Sequence, residues 1–358
     1  MSEQPRTPRL SALVFLSVLS MVYAEVYSGS SPLWFVDPFA LIVALPLYGT
    51  HTVLLVNLAV RYRRATVSHL YLFGVFFGLY ESWITKVLWA GYPGSTGPQF
   101  GTVLGVAWAE LSTLVLFWHP MFSFVIPVLV FQSLAVSGGC RETLYGSGIL
   151  SINRRSALLW TMVAIFGGTF MPLSPLVTTD TVILAAGGNM LVVALLHVLT
   201  RRRWQTLGIR SVLLGRRGMT VLSAWVVAQY AVYFFLLVPE RYPGLGPSLV
   251  VLCIYVLHWL VMRNTPTTEE PFQSPPSRTI HARHILTLSL IFVLLATTLE
   301  AFSDLGLLIG IILMLSMIIA GPFLYLIHVR MALRLRRSTD SPISSTSTNE
   351  SSLSPVRA

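Results

Sequence analysis

Ten apolar runs follow one another between Leu10 and Val329, and the loops between them alternate between arginine-bearing and, Arg241 excepted, arginine-free. A run of about 20 apolar residues wound as α-helix matches the thickness of a bilayer's hydrocarbon core. Inside that core each backbone N–H and C=O must find a partner within the protein, so the runs are expected to be helices. The expected spans are 10–27, 39–60, 68–90, 102–137, 157–176, 181–200, 220–238, 248–262, 285–302 and 305–329. The expected fold is all-α, a polytopic transmembrane bundle of about ten spans.

Composition supports this. Only 11% of residues are charged, and mean hydropathy is +0.72. A soluble domain carries about 25% charged residues. The net charge of +10 does not indicate nucleic acid, because the arginines sit in clusters between apolar runs, as orientation signals do. With ten spans, every arginine except Arg241 falls on the side of the N-terminus. That asymmetry places both termini in the cytoplasm and the protein in the cell membrane, with lipid as its first partner.

The expected layout is a short N-terminal segment at 1–9, a membrane domain at 10–329 with a mobile cytoplasmic loop at 263–284, and a disordered Ser/Thr-rich tail at 330–358. The first run also reads as a cleavable signal peptide, with Val22-Tyr23-Ala24 ahead of Glu25. A retained span is preferred, since few small residues surround that point. The long run 102–137 is read as one span, tilted or kinked at Pro120 and Pro127, because two spans would scatter the later arginines over both sides. Cys140 and Cys253 form no disulfide framework and no zinc spacing.

The third run, SHLYLFGVFFGLYESWITKVLWA, carries Glu81 and the chain's one lysine, Lys86. An ionisable group at that depth costs about 2.5–3.5 kcal/mol, so it needs a partner or a purpose. At about 100° per residue, Gly74, Gly78, Glu81 and Thr85 share one narrow sector. The two glycines would admit a close neighbouring helix, and Glu81 would then point into the bundle. Lys86 lies about 140° round the helix from Glu81 and is free to snorkel outward.

His51 and His119 fall at similar depth in the second and fourth spans. With Glu81 they form a midplane set that suits substrate or proton binding, or a metal ion. The bland reading is a neutral, hydrogen-bonded glutamic acid in the core. Glu110 is a candidate partner for Lys86. Glu110 and His119 are nine residues apart, on roughly opposite faces of a regular α-helix, so the two pairings need more than two helices. Glu25, Asp37, Asp180, Glu240, Glu300 and Asp304 sit at outer span ends, as an acidic vestibule or as ordinary polar termini.

Tyr80-Glu81 with Lys86, followed by His119 in the next span, resembles the CAAX-protease and bacteriocin-processing intramembrane family over spans three and four. That family places paired glutamates ahead of an arginine, with histidines later. Here Tyr80 replaces one glutamate, Lys86 falls one residue late, and Val115 stands where that family has Phe. The resemblance implies a metal-dependent hydrolase. The chain has no GxxxxGKS, HExxH or GxSxG motif. The preferred expectation is a secondary transporter for a small solute or ion, using Glu81, His119, His51, Lys86 and Glu110, with no cofactor. The alternatives are the intramembrane hydrolase, with a metal held by Glu81, His51 and His119, or a non-catalytic scaffold. No sequence feature sets the oligomeric state.

Overall fold

The computed structural model describes residues 9–92, 95–144, 147–201, 208–268 and 270–339. The expected N-terminal segment up to residue 8, and the tail from residue 340, lie outside the described residues. The chain forms the expected all-α polytopic bundle. Its helices are α1 (Leu10–Val26), α2 (Ala40–Arg61), α3 (Val67–Ile84), the short α4 (Val87–Ala90) and α5 (Trp108–Ser137). There follow α6 (Arg154–Leu173), α7 (Thr179–Thr200), α8 (Arg216–Leu236), α9 (Leu245–Asn264), α10 (Ala282–Glu300) and α11 (Ser303–Thr339).

Among the described residues, eight helices are long and apolar enough to cross a membrane: α2, α5 to α10, and Leu308–Arg334 within α11. The other two expected spans are α1, which is shorter, and α3, whose 18 residues rise about 27 Å. The run 102–137 yields a single helix of 30 residues. Helix α11 continues through Thr339, past the expected start of the tail at 330.

Burial orders these helices from centre to rim. The most apolar stretch of α5 is 78% buried, whereas that of Leu308–Arg334 is 11% buried. Helices α3 and α5 therefore form the centre, with α1 and α2 packed beside them. Helices α8 to α11 turn Leu, Ile, Val and Phe side chains outward. For a membrane helix such exposure is contact with lipid, not a flaw.

Close approach of α3 and α5 depends on Gly74 and Gly78. A Cβ on Gly74 would stand 2.5 Å from Pro120 Cα, and one on Gly78 would stand 2.8 Å from Val115 Cα. No side chain of any size fits at either position without moving α5.

Prolines inside spans remove a backbone donor, and neighbouring helices compensate. The carbonyl four residues before Pro127 belongs to Ser123, and it accepts from Ser20 Oγ of α1 at 2.7 Å. The carbonyl four before Pro322 belongs to Ile318, and it accepts from Ser112 Oγ of α5 at 2.6 Å. Near Pro120 the Tyr71 hydroxyl of α3 donates to Leu116 O. Each of these three bonds ties one helix to another.

Around Pro120 the chain winds as π-helix over Leu111–Val125. Shorter π segments lie at Val22–Val26, Ala40–Ala44 and Leu184–Gly188. Such segments are rare and collect at functional sites.

The loops gather at two ends. At the arginine-rich end Thr143–Leu144 (β1) pairs antiparallel with Phe272–Gln273 (β2), Thr143 opposite Gln273. Thr268 N–H donates to Arg63 O at 2.7 Å, Ile152 N–H to Arg278 O at 2.7 Å and Ile280 N–H to Leu150 O at 2.8 Å. The 263–284 segment, expected to be mobile, is hydrogen-bonded at several points along its length. Its backbone groups find partners in two other loops. At the opposite end Ser174 Oγ donates to Gly29 O, and the Arg241 guanidinium donates to Gly91 O and Tyr92 O.

Candidate functional site

Glu81 projects from α3 in the same sector as Gly74 and Gly78, so it meets α5 where the two backbones are closest. The neighbour there is His119, whose Nε2 lies 2.9 Å from Glu81 Oε2. Glu81 Oε2 is buried and has no hydrogen-bond partner besides this contact. His119 is held from behind. Its Nδ1 lies 2.8 Å from Ser123 Oγ, and its ring stacks on Phe77 with centroids 5.7 Å apart. The Glu81 side chain keeps 14% exposure against 4% for His119, so the pair is open on the carboxylate side.

That opening is a cavity of about 670 Å³. It runs from the end of the bundle opposite the arginine-rich loops down to Glu81 and His119. A second carboxylate lines it, Glu25, carried by the π segment that ends α1. The Tyr48 hydroxyl of α2 donates to Glu25 Oε1, and Ser31 Oγ donates to Oε2 at 3.3 Å. Helices α2, α6 and α11 contribute an apolar wall that includes Leu47, Phe170 and Met317.

The loop after α1 forms part of the rim. Its Trp34 indole N–H donates to Asn189 Oδ1 at 2.6 Å. Asn189 Nδ2 donates in turn to Pro32 O at 2.7 Å and to Ala185 O at 2.6 Å. One buried amide of α7 thereby fixes the rim.

The remaining candidates lie elsewhere. His51 is buried with Nδ1 2.6 Å from Leu47 O, and its ring packs 3.7 Å from that of Tyr80. It does not line the cavity. Among the described residues, no three His, Cys, Asp or Glu side chains are placed to hold a metal ion. The expected set of Glu81, His51 and His119 is therefore not assembled, because α2 turns His51 towards Tyr80 and Tyr48 towards the cavity.

Lys86 does not snorkel. Helix α3 ends at Ile84, Lys86 takes a left-handed conformation with φ +61°, and its side chain is fully buried. Its ammonium donates to Leu237 O and lies 5.2 Å from the Phe234 ring centroid. Leu237 follows the end of α8, where carbonyls lack intrahelical partners and the helix dipole favours a cation. Lys86 thus caps a helix.

Glu110 is not its partner. Glu110 is buried with Oε1 accepting from Gln99 N–H at 2.8 Å. The sequence argument had set Glu110 and His119 on opposite faces. At about 4.4 residues per π turn, nine residues return almost to the same face. Glu110 and His119 therefore share a side of α5.

Glu25 and Tyr48 were not among the sequence candidates. Glu25 had been placed with the acidic span ends, although it interrupts an apolar run much as Glu81 does. That interruption was the available signal. Asp37, Asp180, Glu240 and Glu300 do not line the cavity.

A model described as an uncharacterized membrane protein family matches residues 14–337. A protein of Archaeoglobus fulgidus, described as an uncharacterized protein, is 40% identical over 134 residues. The matched stretch is 36% of this chain and 40% of that relative's length. No solved structure matches.

Proposed function

The chain belongs to that uncharacterized membrane protein family, and we propose that it is a secondary transporter for a small solute. One observation carries this reading. A cavity of about 670 Å³ enters the bundle from one end and stops at an acid–base pair inside it. Beyond the pair the way is closed by packing: Ser20, Thr52, Phe124 and Val128 are fully buried. A solute site reached from one side, with a titratable pair at its floor, is the form of one alternating-access state. On the positive-inside rule the mouth faces away from the cytoplasm.

Glu81 and His119 serve as the coupling pair in this reading. A carboxylate and an imidazole 2.9 Å apart form an acid–base pair, and a solute reaching Glu81 perturbs their proton balance. The broken helix at Lys86 and the π winding of α5 flank the site, where movement would be needed. Hydrolysis is the weaker reading, because Glu25, Glu81 and His119 line the cavity but, among the described residues, no three such side chains are placed to hold a metal ion.

The test is proton movement in proteoliposomes that hold an internal pH indicator. A solute bound by the wild type should drive a proton flux, and Glu81→Gln should reduce that flux at least tenfold. A solute that binds at the cavity but drives neither its own uptake nor a proton flux would sink the transporter reading.

A further inference from the structure

Resting on the cavity as the solute site, we propose that its cargo is an organic ammonium ion with a flat apolar body. The carboxylates lining the cavity are Glu25 and Glu81, the one imidazole is that of His119 beside Glu81, and among the described residues no lysine or arginine lines it. Both nearby cations are committed elsewhere. Lys86 donates to Leu237 O, and Arg241 donates to the carbonyls of Gly91 and Tyr92.

Two carboxylates in a low-dielectric recess repel an anion and attract a cation. A neutral solute has no charge to set against either one. The Glu81 side chain keeps 14% exposure where it lines the cavity, so an ammonium N–H reaching its carboxylate gains a charge-assisted bond beside the His119 contact.

The rest of the lining suits the remainder of such a molecule. Phe39, Tyr48, Tyr92, Trp118 and Phe170 line the cavity, and aromatic faces attract organic cations. Met314 and Met317 add an adaptable apolar wall. The volume lies within the range of roughly 300–1,000 Å³ usual for small-molecule sites.

The experiment is equilibrium binding to the purified full chain in detergent, using three probes of one shape. They are phenethylammonium, 2-phenylethanol and 3-phenylpropionate. Phenethylammonium should bind saturably and at least tenfold more tightly than the other two. Glu81→Gln and Glu25→Gln should each weaken it at least tenfold, while Glu300→Gln, outside the cavity, should leave it unchanged.

Equal or tighter binding of the alcohol or the anion overturns the proposal on the wild type alone, whether or not the variants fold. So does an absence of saturable amine binding, or amine binding that survives both cavity substitutions. The transporter reading fails separately. Selective amine binding without flux removes transport and keeps the ligand class, and flux driven by another solute does the reverse.

Discussion

Ser20 of α1 donates to the carbonyl of Ser123 at 2.7 Å, and Ser123 lies four residues before Pro127. The serine therefore supplies the bond that proline cannot. Ser20→Ala leaves that buried carbonyl with only the long 3.5 Å contact from the Thr52 hydroxyl and should cost about 1–3 kcal/mol. Pro127→Ala restores an N–H, so Ser20→Ala made in that background should cost less. Thermal unfolding in detergent measures both. Equal costs in the two backgrounds would refute the compensation.

Gly78→Ala should lower the unfolding temperature, because its Cβ would stand 2.8 Å from Val115 Cα and 3.2 Å from His119 Cβ. Overpacking of this kind costs about 1–3 kcal/mol. Gly187→Ala is the control. It meets nothing within 4 Å and should change stability by less than about 0.5 kcal/mol. On the proposed transporter reading, the Gly78 change should also weaken solute-driven proton flux by displacing His119 from Glu81.

Lys86→Gly keeps the left-handed backbone and removes the donor to Leu237 O, which isolates the cap from the turn. The expected loss is about 1.5–3 kcal/mol, the range for hydrogen bonds to charged groups. Lys86→Met loses the donor and also places a side chain with no polar atom in a left-handed turn, so it should be the less stable of the two. A loss near zero in Lys86→Gly would mean that the ammonium contributes little.

Asn189→Leu removes the acceptor for the Trp34 indole and both donors to Pro32 O and Ala185 O. The rim loop should then open more often. Limited proteolysis within 28–38 should accelerate several-fold, while cleavage of the loop at 263–284 stays unchanged. A uniform acceleration at both ends would indicate general unfolding instead.

Much of the bundle was legible in the sequence because lipid imposes a simple code. Runs of about 20 apolar residues and the placement of arginine set the spans, and the Gly74–Gly78–Glu81 sector foretold which face of α3 meets its neighbour. What stayed hidden depends on departures from 3.6 residues per turn and on contacts distant in the chain. No periodicity announces the π winding that returns Glu110 to the side of His119. Nor does anything near Lys86 point to Leu237, 151 residues later. Glu25 was overlooked because it lies near the end of its run, where an acidic residue is unremarkable. The π segment Val22–Val26 carries it beside the cavity.

The π winding of α5 has a mechanical side. A π-helix rises less per residue than an α-helix, so rewinding the 15 residues of Leu111–Val125 as α would lengthen the rod by about 5 Å and rotate one half against the other by about three-quarters of a turn. The centre of the bundle thus holds a coiled reserve of length close to one helical pitch. Drawing on it would carry His119 past Glu81 without unfolding a turn.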